Sequence, residues 1–185
     1  SNKSNQWYDY DNKMWANAVT VTSTNRDTYL KASAGTTIPM SDINTMWVWI
    51  PRYTYTYLNT NTPQEIKIKF EEGTNSSGTI KCTDAVTGTS TTSETCTDTT
   101  NGSLKAGTST YTHPAFTFGD KELTGIWVGK FEISSGQIIK PNVTSLRSQT
   151  VNQLYTGIYN MRNSGNAFGF STSDETHMIK NMEWG

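Results

Sequence analysis

The residues best suited to chemistry in this 185-residue chain are aromatic. Trp49, Tyr53, Tyr55 and Tyr57 recur at every second or fourth position, and the tyrosines alternate with Arg52, Thr54 and Thr56. On a strand this spacing puts the rings on one face, where they offer apolar ring faces to a sugar. The plainer reading of the same ladder is cross-strand packing. Two cysteines, Cys82 and Cys96, lie in a stretch rich in Thr, Ser and Gly. An even count at close spacing in such a context reads as one disulfide. Closing a loop of that size stabilises by about 3 kcal/mol in the chain-entropy model.

The remaining candidates point away from catalysis. Asp9 and Asp11 lack the glycine and distal glutamate of a calcium loop, so a turn with aromatic anchors is expected there. No second Cys or His pair supplies a zinc site. His113 has no Cys, Ser or carboxylate partner by motif and precedes Pro114, which reads as a structural histidine before a turn. No catalytic, metal-ligating or cofactor-binding set is therefore expected.

Composition narrows the class. The net charge is −1 with a pI near 6.1, so no basic field exists to recruit nucleic acid or an anionic membrane. No apolar run approaches the roughly 18 residues of a membrane span. Hydrophobic residues make up 34% of the chain, and roughly one residue in six is threonine. Six Trp, nine Tyr and six Phe argue against disorder. A Thr/Asn/Ser/Gly-rich surface over aromatic residues is typical of exported β-rich proteins.

These residues need strands to position them. Trp15, Val19 and Val21 predict a strand ending at Ser23, Thr24 and Asn25, followed by a loop with a short helix up to Met40. Met46 to Tyr53 reads as a strand buried on both sides that reaches a sheet edge at Pro51. Glu65 to Glu71 alternates strictly and predicts a half-exposed strand, with one charged face, paired to the tyrosine strand through a turn at 59–63. Between Gly73 and Thr110, two short arms at 79–83 and 93–97 are expected around a turn at Thr87 and Gly88. Ile126, Val128, Phe131 and Ile133 give the most concentrated strand signal, a buried strand irregular at Gly129. Thr150 caps a predicted helix from Val151 to about Asn163, interrupted by Gly157. Met178, Ile179 and Met182 share one helical face, predicting a short helix near the end.

Ile126 to Ser134, with Gln137 beyond, resembles the early strand signature of the formylglycine-generating enzyme family, a variant of the C-type lectin fold. Asn181, Met182, Glu183 and Trp184 resemble that family's second-helix signature. Together with the stretches 7–21, 46–53 and 111–116, the chain is similar to exported surface proteins of gut Firmicutes and of their phages. The resemblance implies that residues 121–185 are the first half of a C-type-lectin-like domain, and that residues 1–120 are a β-rich region carrying the disulfide loop. It implies that the rest of the domain follows in longer relatives. The family's catalytic cysteines lie in that later half, and Cys82 and Cys96 precede the motif strand.

The expected class is α+β and mostly β: antiparallel strands, long Thr/Ser/Gly-rich loops and one or two short helices. The expected function is that of a non-enzymatic extracellular protein of a bacterial surface or virion, such as an adhesin or phage tail fibre. It would act in assembly or in binding a glycan or protein receptor, with the missing C-terminal segment or a neighbouring subunit as partner. The alternatives are a structural subunit of a filament or pilus, and a fragment of a formylglycine-generating oxidase.

Overall fold

The computed structural model describes residues 8–9, 12–56, 66–72, 81–84, 90–92 and 110–184. Along the chain it contains β1 (Tyr8–Asp9), β2 (Met14–Trp15), β3 (Asn17–Val21), the one-turn helix α1 (Arg26–Leu30), β4 (Ile43–Pro51) and β5 (Tyr53–Thr56). Then come β6 (Ile68–Glu72), β7 (Lys81–Asp84), β8 (Ser90–Thr92), β9 (Thr110–Thr112), β10 (Thr117–Phe118), β11 (Lys121–Glu122), β12 (Gly125–Gly129) and α2 (Val151–Tyr159). The class is mostly antiparallel β with short helices, as composition and alternation predict.

The residues form two compact units, one from 1–16, 49–127 and 181–185, the other from 17–48 and 128–180. The chain passes from one to the other inside β4 and inside β12, so each unit draws on sequence before and after residue 120.

The first unit is built on a five-stranded sheet in the order β8-β7-β6-β5-β9. β5 pairs antiparallel with β6 (Tyr53 opposite Phe70, Tyr55 opposite Ile68) and with β9 (Tyr55 opposite Tyr111). One face therefore carries Tyr53, Tyr55, Ile68, Phe70 and Tyr111, while the other carries Arg52, Thr54, Thr56 and Glu71. The second set is the buried one. Thr54 and Thr56 direct their hydroxyls to the Lys69 and Lys67 carbonyls at 3.4 Å, which lets small polar side chains be buried in a sheet. β7 pairs antiparallel with β8, while the expected second arm at 93–97 and the turn at Thr87 and Gly88 lie outside the described residues. The β1–β2 turn is closed by Asp9, whose carboxylate accepts from the Asn12 amide N–H (3.0 Å) and side chain (2.8 Å). Trp15 anchors it edge-on against Phe70, with ring centroids 4.5 Å apart.

The second unit packs β3 antiparallel on β4, with an irregularity between Thr20 and Val21. Its core is Ile139, Met161 and Phe168, flanked by Trp47, Ile133, Ile158 and Phe170. Ile139 joins β4 through two backbone bonds, donating to the Asn44 carbonyl (3.0 Å) and accepting from the Met46 N–H (2.7 Å). α2 begins at a full capping box: Thr150 accepts from the Gln153 N–H, and the Gln153 side chain accepts from the Thr150 N–H. The helix runs through Gly157 without a break and tightens into a 3₁₀ turn over Asn160–Arg162.

Four expectations need correction. β12 stops at Gly129 and all five of its residues are partly exposed, so the strand is shorter and less buried than 126–133 suggests. Gly129 packs against Ile139, and beyond it Phe131 lies exposed. Pro51 is fully buried at the end of β4 rather than at an exposed edge. Residues 176–184 contain no helix, only a turn at 181–183. Ile179 and Met182 are exposed, and without a surface to pack on a segment this short does not hold a helix. Lastly, the charged face of β6 exposes Lys67 and Lys69 but buries Glu71.

Gly125 tests this packing directly. A Cβ there would lie 2.3 Å from Trp49 Cζ2 and 2.6 Å from the Ile50 carbonyl oxygen. Gly125→Ala is expected to cost about 2–3 kcal/mol in urea unfolding, because ring and backbone must both shift. A midpoint within error of the parent would show that Trp49 does not sit over Gly125.

Candidate functional site

The aromatic residues singled out by the sequence fall into separate surroundings within the first unit. Trp49 lies across Gly125 and meets Trp127 edge-on at 5.4 Å, so its ring is used in packing. Tyr53 and Tyr55 share a face and both approach the His113 ring, at 5.2 Å and 5.8 Å. Tyr53 also meets Phe116 edge-on at 5.2 Å, and burial, with the neighbouring Tyr55, pushes its phenol pKa up. Tyr57 lies outside the described residues. So does Cys96, and with it the pairing with Cys82; the Cys82 backbone stands directly opposite Glu71 in the β6–β7 register.

His113 is held by its surroundings rather than poised for proton transfer. It caps the 3₁₀ turn Pro114–Phe116, and its Nδ1 accepts the Ala115 backbone N–H at 3.2 Å. The residue is buried beside Phe116, which is fully buried. Burial disfavours the imidazolium and lowers the pKa. Nδ1 must also be unprotonated to accept the bond.

On the opposite face of β5 lies a polar cluster that alternation did not reveal. Arg52 Nε meets Glu71 Oε2 at 2.5 Å, and each side chain is 1% exposed. Glu122 Oε1 is 3.7 Å from the same guanidinium, whose Nη1 donates to the Leu123 carbonyl at 3.4 Å. The Thr112 hydroxyl approaches both Glu71 carboxylate oxygens at 3.4 Å. Burial pushes the Glu71 carboxyl up, while Arg52 and Thr112 pull it back; the net direction is upward. The one available signal was Arg52 itself, an arginine within a run of aromatic and β-branched residues. Its partner Glu71 was hidden by two lysines on the same face of the strand.

Among the described residues, no group of three or more His, Cys, Asp or Glu side chains is arranged to hold a metal ion. No described helix is long and apolar enough to cross a membrane. The arrangement of Arg52, Glu71, Thr112 and Glu122 ties β5, β6, β9 and β11 together, a structural task. No family model, curated protein or solved structure matches the chain.

His113 gives a pH test. Its folded-state pKa is depressed below the ordinary 6.5, so the unfolded chain takes up the proton first. The stability it contributes is present above about pH 6.5 and is lost as the pH falls toward the folded value. His113→Asn keeps a side-chain acceptor but cannot titrate. It is expected to flatten the pH dependence of urea unfolding as the pH falls below about 6.5; an unchanged slope would count against a buried neutral imidazole.

Proposed function

We propose that this chain belongs to an extracellular, non-enzymatic protein of a bacterial surface or phage tail, working in assembly and in binding a glycan or protein receptor. The reading rests first on what the reactive residue types do. Asp9, His113, Arg52 and Glu71 are each engaged in turns, caps or strand ties. The Thr- and Asn-rich, nearly neutral composition supports an exported β protein. In this proposal residues 121–185 form the first half of a C-type-lectin-like domain, and Cys82 and Cys96 are joined in an oxidising compartment.

The observation that carries the assembly role is the segment ending at Trp184. Within the first unit, Met182 and Trp184 are 62% and 76% exposed two positions apart. Large apolar side chains clustered in the open mark surfaces that another segment or subunit covers. A filament subunit is the second reading, favoured by the same two residues.

Sedimentation and electron microscopy over a range of concentrations test assembly. The parent chain is expected to associate, and Met182→Ser with Trp184→Ser to weaken association by about tenfold, equivalent to about 1.4 kcal/mol. Monodisperse monomers throughout would contradict it. Independently, the native intact mass should fall short of the sequence mass by two hydrogens, and a fully reduced mass would remove the disulfide.

A further inference from the structure

We draw no further inference here: the strongest candidate, the uncharged outer face of α2 that exposes Val151, Tyr155 and Tyr159, carries none, because Arg162 and Tyr155 already occupy the Tyr159 ring and nothing in the structure shows what covers the rest of the face.

Discussion

The first unit depends on one buried ion pair. Removing a guanidinium and a carboxylate from water costs several kcal/mol per ion, and Coulomb attraction repays it only with close geometry and further hydrogen bonds. Arg52 and Glu71 meet at 2.5 Å, with Glu122, Thr112 and the Leu123 carbonyl around them. These groups come from the residue before β5, from β6 and β9, from the end of β11 and from the residue after it. The pair thus fixes strands that are far apart in sequence and sets which face of β5 turns inward.

That constraint explains the unusual interior. With Arg52 inward, the alternation of β5 buries Thr54 and Thr56 and turns Tyr53 and Tyr55 to the other face. The tyrosines then become packing partners of His113, and Phe116 completes the group. Apolar burial is sparse: only Val21, Ile43, Ala115, Phe116, Ile139, Met161 and Phe168 are buried hydrophobic residues among those described. Polar groups satisfied by backbone or by each other occupy positions that Val or Ile fill in ordinary sheets. Such an interior is specific in register, because a one-residue slip of β5 would expose Arg52 and bury Tyr53.

Much of the architecture was legible in the sequence. Alternation located β3, β5 and β6 and the antiparallel pairing of β5 with β6, and Thr150 marked the start of α2. The structural role of His113 followed from Pro114 and the lack of a partner motif. What failed had physical causes. The Met178, Ile179 and Met182 pattern has helical spacing, but Ile179 and Met182 stand exposed and only Met178 is half-buried. Arg52 and Glu71 are 19 positions apart, and single-strand periodicity is blind to cross-strand partners.

The dependence of the sheet on its ion pair is measured most directly by a double-mutant cycle in equilibrium urea unfolding. In the variants Arg52→Met, Glu71→Leu and their combination, each single change leaves one charge buried and is predicted to cost about 3–5 kcal/mol. The combined variant, with an apolar pair in place of the ions, is predicted to lose far less than the sum. Single losses below about 1 kcal/mol, or strictly additive losses, would contradict the account.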